Sequence, residues 1–336
     1  MMKLALLLAT ACLAPAVCVA DPLPFGQASP YNLVALGTVD ANGNTLIAGT
    51  IATNADIGGR VAAADSVLLG TTIGGSLNSD PWGASASYAV VSTNGLAAGQ
   101  IFNINGGGNV FAPGTNGTIN FNDGGIRVTS GPSGLDFTTL RSTLVLQTAM
   151  LATLTPNGIV GAPTPPGGNP SWLVLQGTST TLNVFNLTAA QFSDANHNLD
   201  IEVPAGSTVV INVSGTNVTL GAGIYIDGVQ ISGDNAASQD ILFNFPTAQT
   251  VTIDAQFSAS LLAPFAILTG NGQMGGNFIA AQIGQTGEVH NIEFTGSLPD
   301  PPSDPPTVPE PGTLALLGTG VLSLAIRLRS KTTPTL

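Results

Sequence analysis

The chain has 336 residues, of which 42 are glycine, and only 8 % are charged, against roughly 25 % in ordinary soluble domains. Residues 21–307 contain 18 acidic residues but only three basic ones, Arg60, Arg127 and Arg141, which gives this body a net charge of −15. Such a body repels phosphate backbones, and three arginines cannot form a basic patch. The composition therefore excludes a nucleic-acid partner.

Residues 1–20 have the pattern of an export signal: a basic residue, an apolar run and then small residues. This order is typical of a secretory signal peptide cut after Ala20, with a cut after Ala16 as the alternative. Both cysteines, Cys12 and Cys18, lie within it. The exported body therefore has no disulfide and no thiolate metal site, and its core or repeated stacking must stabilise it.

Short β-like runs separated by glycine and asparagine extend over residues 31–121 and again over 171–298. The alternation of apolar and polar residues in 209–213 predicts a half-buried strand. The strand candidates are residues 33–36, 45–48, 67–69, 172–175, 208–213, 241–245 and 250–253.

A five-residue pattern (apolar, two glycines, polar, apolar) begins at Ile57, returns at Ile73 and occurs a third time from Met274. Glycine permits positive φ and close backbone approach, so this pattern is typical of a tight corner that leads into a strand. A spacing of sixteen residues suits one turn of a β-solenoid better than a propeller blade or a sandwich. Coincidence in a glycine-rich chain is the alternative. We predict an all-β fold, a β-solenoid of the right-handed β-helix type.

One segment, at about residues 133–155, breaks the β pattern and predicts an α-helix. Ser133 as N-cap and Asp136 at the third helical position form a variant capping box, and Pro156 follows the end. Since an amphipathic helix must cover an apolar surface, we expect it to flank the solenoid. Its apolar face comprises Phe137, Leu140, Leu144, Leu151 and Leu154.

Alternating oxygen-bearing residues near position 200 resemble a calcium loop, since a hard cation takes six to eight oxygen ligands. However, Leu199 stands where a sharp-turn glycine is expected, and Ala205 stands in place of the bidentate acid. The pattern therefore favours a surface turn, with weak Ca²⁺ binding as the alternative and no other cofactor. The candidate ligands are Asp194, Asn196, Asn198 and Asp200, followed by Glu202.

Catalysis has little support in the sequence. His290 lies between Glu288 and Glu293. This arrangement suits a ligand or a catalytic pair, and a local hydrogen bond is the alternative. A solenoid glycosidase needs paired carboxylates, and no pair stands out. We predict that the protein is not an enzyme, and a β-helix carbohydrate-active enzyme is the least favoured alternative.

Threonine and asparagine suggest a binding face instead. A solenoid stacks equivalent positions about 4.8 Å apart, so outward Thr and Asn would form columns. The candidate pairs are Thr250 with Thr252 and Asn217 with Thr219. Such a face can bind sugar or ice; a merely solvated outer face is the alternative.

The C-terminal region combines a proline-rich spacer, residues 300–307, with a tripartite segment, residues 308–331. The fifteen residues 312–326 would form a helix of about 22 Å, short of the ~30 Å hydrocarbon core. Temporary retention in a membrane therefore suits this segment better than a permanent single-pass anchor. Its polar motif is Pro309, Glu310 and Pro311, and its basic end comprises Arg327, Arg329 and Lys331.

This segment resembles the PEP-CTERM sorting signal of Gram-negative bacteria. The resemblance implies recognition by an exosortase-type membrane enzyme, removal of the tail and delivery to a polysaccharide-rich cell surface. The body resembles the choice-of-anchor A family of bacterial surface proteins over residues 31–299, which implies a secreted or surface-attached domain and no catalytic residues. The segments that carry this second resemblance are residues 31–37, 55–63, 135–137, 241–248, 260–264, 288–291 and 294–296.

We therefore predict four parts: a signal peptide (1–20), a β-solenoid domain (21–299), the spacer (300–307) and the sorting signal (308–331). The predicted protein is a secreted or cell-surface, non-enzymatic component of the extracellular polysaccharide matrix, with transient inner-membrane retention. Its expected partners are the exosortase-type enzyme and extracellular polysaccharide. The alternative is a polysaccharide- or ice-binding adhesin that uses the Thr/Asn face.

Overall fold

The computed structural model describes residues 23–77, 88–114, 117–161, 172–192, 198–232 and 235–300. Described residues up to Leu298 belong to one compact unit. This unit consists mostly of short β-strands, with one α-helix, α1 (Phe137–Thr153). The predicted all-β character with a single helix is therefore confirmed, while the signal peptide and the sorting segment lie outside the described residues.

Within the described ranges, the first sheet contains ten strands, and every neighbouring pair is parallel. The two strands at the edges of this sheet both come from the middle of the sequence. The order across the sheet is β12 (Arg127–Val128), β10 (Val110–Phe111), β7 (Val90–Ser92), β4 (Val61–Ala63), β1 (Leu33–Ala35), β26 (Phe278–Ile283), β24 (Ser260–Gly270), β21 (Ile241–Asn244), β17 (Thr208–Ser214) and β15 (Leu182–Thr188).

Two further ladders are also parallel. The second sheet runs β18 (Asn217–Leu220), β22 (Thr250–Ile253), the later half of β24, the end of β26, Ile51, β5 (Ser66–Val67) and β8 (Gly95–Leu96). The third sheet runs β11 (Thr118–Phe121), β9 (Ile101–Ile104), β6 (Thr72–Ile73), Ile57, β27 (Val289–His290), β25 (Met274–Gly275) and β23 (Phe257–Ser258).

The remaining strands form two smaller units with antiparallel edges. The fourth sheet runs β13 (Ile159–Gly161), β14 (Leu173–Gln176), β16 (Leu199–Glu202), β19 (Ile224–Ile226) and β20 (Val229–Gln230), and its two outermost pairs are antiparallel. The hairpin β2 (Thr38–Val39) and β3 (Thr45–Ile47) interrupts the connection between β1 and Ile51.

The glycine-containing repeats occupy one ladder of the third sheet. Ile73 pairs with Ile57, Ile57 pairs with Val289, and Val289 pairs with Met274. Gly276, in the third copy, has φ +149°, and a Cβ there would lie 2.5 Å from a backbone oxygen of the neighbouring strand. The first two copies, sixteen residues apart, are therefore direct neighbours, and the third copy lies two pairings away from the first on the same ladder.

Both sides of the first sheet are buried over its central strands. One side contributes to a core shared with the other sheets, and the opposite side packs under α1. Consequently residues 209–213 of β17 are all buried, and the prediction of a half-buried strand was wrong because the helix covers the second side. The residues of α1 in this contact include Phe137, Leu140, Leu144 and Leu151, as the apolar stripe predicted.

The predicted helix bounds of 133–155 were too wide. Asp136 is the N-cap, and its carboxylate accepts hydrogen bonds from the backbone N–H groups of Thr138 and Thr139. A hydrogen bond from the Thr139 hydroxyl, together with these backbone bonds, lowers the pKa of Asp136. The Ser133 hydroxyl instead accepts from the N–H of Leu135, so the helix begins only at Phe137.

Buried asparagines fix the position of α1 on the first sheet. Asn244 donates to the carbonyl of Thr148 at 3.0 Å and to Oδ1 of Asn212 at 2.8 Å. Asn212 in turn donates to the carbonyl of Leu151 at 2.9 Å. Apolar packing alone is non-directional, so these bonds select one register of the helix on the sheet.

The two halves of the chain meet where β1 pairs with β26. Asn32 is fully buried there, donates to the carbonyls of Gly276 and His290, and accepts from the N–H of Arg60. Asn277, also fully buried, donates to the carbonyls of Ser29 and Tyr31. We call this contact the β1–β26 seam.

Replacement of Asn32 by alanine is expected to destabilise the fold by about 3 kcal/mol, because two carbonyls and one N–H at the seam lose their buried partner. Urea unfolding followed by circular dichroism measures the effect. Asn42→Ala, at an exposed asparagine of the β2–β3 hairpin, is the matched control. Equal midpoints for the two variants would contradict a stabilising role of Asn32.

Candidate functional site

The second sheet carries outward-facing hydroxyl groups in register. Its inward residues on β18, β22 and β24 are Val218, Val251 and Leu268, all buried. Since side chains alternate along a strand, the residues on either side of them face outward. The pairing of the three strands aligns Thr219 with Thr252 and Thr252 with Thr269. The second aligned set is Asn217, Thr250 and Ile267.

We call Asn217, Thr219, Thr250, Thr252 and Thr269 the threonine columns. The hydroxyl of Thr250 donates to Oδ1 of Asn217 at 2.9 Å. The other three hydroxyls have no hydrogen-bond partner in the part of the chain that the structure describes. Neighbouring strands lie about 4.8 Å apart, so the columns present evenly spaced groups that can both donate and accept.

The columns cover three strands rather than the whole sheet. The positions equivalent to Thr269 on the following strands are Gly284, Ala52 and Leu68, since Leu268, Ile283, Ile51 and Val67 pair in sequence. The predicted Thr/Asn pairs thus lie side by side, as expected. The regular ladder that the adhesin alternative predicted extends over part of one face only.

A second polar ladder occurs on the third sheet. Asn120 donates to Oδ1 of Asn103 at 2.9 Å, and Asn122 donates to Oδ1 of Asn105 at 2.7 Å. These amides bond to one another, so they stabilise neighbouring strands. Sequence reasoning missed this ladder, although the Asn-x-Asn pattern recurs after seventeen residues and could have indicated it.

The candidate calcium ligands are only partly described. Asp194 and Asn196 lie outside the described residues. Asn198 accepts a hydrogen bond from the N–H of Gly223 at 3.2 Å, and Asp200 accepts from the N–H of Gly228 at 2.9 Å. No group of three His, Cys, Asp or Glu residues that could hold a metal occurs among the described residues. Calcium binding at this loop stays a prediction.

Asp200 is 6 % exposed in β16, and burial raises the pKa of its carboxyl. The charges of Glu202 and Asp227 act in the same direction, while the bond from Gly228 opposes them. The carboxylate oxygen Oε2 of Glu202 accepts a hydrogen bond from Gln176 at 2.7 Å. Asp200 is therefore stabilised in its neutral form by folding, unlike a preformed anionic ligand.

The residues considered for catalysis lie in different surroundings. Glu288 is exposed, whereas Glu293 is 3 % exposed. His290 lies in β27 at the β1–β26 seam, where its carbonyl accepts from Asn32. His197 lies outside the described residues.

The sorting residues also lie outside the described ranges: Pro309, Glu310, Pro311, Arg327, Arg329 and Lys331. Over the part of the chain that the structure describes, no helix has both the length and the apolar character needed to span a membrane.

Asp200→Asn is expected to raise the urea midpoint at pH 7, because the raised pKa of Asp200 makes its ionised form unfavourable in the folded chain. In the unsubstituted chain, the stability contributed by protonated Asp200 is fully present below the pKa of the unfolded state. It is lost as the pH rises through the pKa of the folded state. The two chains should therefore converge below about pH 4. Stabilisation of the unsubstituted chain by Ca²⁺, absent in the variant, would instead support a calcium loop.

Two family models match the chain. Residues 307–330 match the PEP-CTERM protein-sorting motif, so the predicted sorting signal is confirmed. Residues 24–291 match the model described as Putative Ice-binding-like adhesive domain. No curated protein matches the chain. Together the two matches support an exported, adhesive surface protein. Because the second region makes up well over half of the chain, the protein belongs to the Putative Ice-binding-like adhesive domain family.

Proposed function

We propose that the protein is a non-enzymatic adhesin of the extracellular polysaccharide matrix and that the threonine columns are its adhesive surface. The observation that carries this proposal is the in-register alignment of Thr219, Thr252 and Thr269, whose hydroxyls have no partner within the described residues. Polysaccharides present hydroxyl donors and acceptors at regular intervals. A fixed, periodic array on the protein can bond to several of them without reorganising its side chains.

The stiffness of this array depends on the solenoid that we infer for the body. Consecutive strands β21, β22 and β23 belong to the first, second and third sheets, and β24 to β27 follow the same order. This cycle supports successive turns of a β-solenoid, with the right hand that connections between parallel strands usually have. Its repeated geometry would hold the columns at constant spacing.

The proposed route to the surface uses both ends of the chain. Residues 1–20 direct export, and residues 308–331 retain the protein in the inner membrane until an exosortase-type enzyme removes the tail. Residues 21–299 are then the functional domain, of the choice-of-anchor A type, and residues 300–307 separate it from the tail. The match of residues 307–330 to the sorting motif supports this route.

Ice is a second candidate ligand for the same surface. The even spacing of the hydroxyls and the ice-binding-like description of the family favour it. The columns extend over only three strands, however, which suits a narrow polymer chain better than an extended crystal face. We therefore place polysaccharide first.

The double substitution Thr219→Val and Thr252→Val is expected to weaken binding to isolated matrix polysaccharide about tenfold, since two hydrogen-bonding groups are lost without a change of shape. Thr118→Val, at an exposed position on the third sheet, is the matched control. Co-sedimentation with the polysaccharide and, in parallel, incorporation of the protein into slowly growing ice measure binding. Unchanged binding of the folded double variant to both would contradict the proposed surface.

Deletion of residues 308–331 is expected to abolish surface attachment without changing the thermal unfolding of the body. Fractionation of the native host, with immunodetection of the chain, measures its location. Replacement of Glu310 alone by glutamine tests the motif separately from the apolar segment. A deleted chain that still reaches and stays on the cell surface would show that the segment does not sort the protein.

A further inference from the structure

A small polar cavity lies where the β2–β3 hairpin meets the connections that follow β4 and β7. Its volume is about 120 Å³. One liquid water molecule occupies about 30 Å³, so the cavity has room for a carboxylate and a few attached atoms. Its polar lining residues are Thr38, Thr45, Asp65, Asn94 and Arg141.

Arg141 reaches this cavity from α1 and is held by main-chain carbonyls. Its Nε donates to the carbonyl oxygens of Leu36 at 3.1 Å and Gly37 at 2.9 Å, and its Nη2 also donates to Leu36. Nη1 makes no hydrogen bond within the described residues. The guanidinium is therefore fixed on one side and has three N–H donors left over, two on Nη1 and one on Nη2.

Arg141 has no acidic partner over the described ranges. Burial lowers the pKa of its guanidinium, with no opposing effect from a nearby carboxylate. In a body with six times as many acidic residues as arginines, a half-buried arginine without a counter-ion is unexpected. An anionic ligand would supply the missing charge and accept the remaining N–H donors.

Asp65 also lines the cavity and supplies a negatively charged hydrogen-bond acceptor. Its Oδ1 accepts hydrogen bonds from Asn94 at 2.7 Å and from the Ser66 hydroxyl at 3.0 Å. Its Oδ2 accepts none within the described residues, and the hydroxyls of Thr38 and Thr45 likewise make no side-chain hydrogen bond there. A ligand that donates hydroxyl protons can use these acceptors.

We propose that this cavity binds the carboxylate of a uronic-acid residue in an acidic polysaccharide. The carboxylate takes the Nη1 donors of Arg141, and a hydroxyl on the same sugar donates to Asp65. Neither a bare anion nor a neutral sugar uses both groups. The cavity shares no residue with the threonine columns, so either site can be present without the other.

The probe is a short oligogalacturonate, titrated calorimetrically into the purified chain, with the methyl-esterified oligomer and sodium acetate in parallel. The acidic oligomer is expected to bind at least about tenfold more tightly than either. Arg141→Gln is expected to remove this preference. Ala48 lines the cavity. Ala48→Phe is expected to fill it while Arg141 keeps its bonds to Leu36 and Gly37, so this variant tests the cavity separately from the helix contact.

Arg127→Gln, at an arginine outside the cavity, is the matched control and should bind as the unsubstituted chain does. Thermal unfolding checks that each variant is folded. Equal binding of the acidic and esterified oligomers would overturn the proposal, as would full binding by folded Ala48→Phe. Acetate binding as tight as that of the oligomer would identify a general anion site and would equally overturn a uronate site. Loss of oligogalacturonate binding in Thr219→Val/Thr252→Val alone would assign the sugar to the threonine columns instead.

Discussion

The β1–β26 seam is the constraint on which the rest of the structure depends. β1 lies in the middle of the first sheet. Strands β4, β7 and β10 extend the sheet from β1 in one direction, and strands from the second half of the chain extend it in the other. Asn32 and Asn277 satisfy buried backbone groups on both sides of the junction. A Cβ on Gly59 would lie 1.6 Å from Oδ1 of Asn32, so the chain can approach this amide only with glycine there. Since this pairing joins residues more than 240 positions apart, it must form against a large loss of chain entropy.

The seam also relates the two proposed sites. The threonine columns lie on strands of the second half, whereas the Arg141 cavity is built from the first half together with α1. The second sheet passes from one half to the other only because Ile51 pairs with both Ile283 and Val67. One folded unit thus carries a surface of neutral hydroxyls and a cavity with a single cation, which under the two proposals bind different groups of a polysaccharide.

The sequence was sufficient to predict features that depend only on residues close together in the chain. The apolar stripe of α1 and the repeated glycine corners needed only periodicity and backbone chemistry. The N-cap was predicted at Ser133 but lies at Asp136, because both polar residues can cap a helix and only the tertiary position of the helix selects one. Strand order could not be predicted, since parallel strands have no short connecting turn that fixes the partner. Thr219 and Thr252 were identifiable as outward pairs, but the Arg141 cavity depends on a hairpin and two corners that are distant in the sequence.

The negative charge of the body limits the contacts by which it could bind an acidic polysaccharide. A body of net charge −15 and an acidic polysaccharide repel each other, but salt screens this repulsion beyond about 8 Å at physiological ionic strength. Attraction must therefore come from groups in direct contact. The threonine columns can make such direct contacts, because their hydroxyl groups carry no charge of either sign. A basic patch would bind any anionic polymer, including nucleic acid, without distinction. In our proposal, a single arginine fixed by the carbonyls of Leu36 and Gly37, with Asp65 lining the same cavity, would bind a carboxylate only when hydroxyl donors accompany it, and would thereby add chemical selectivity to weak adhesion.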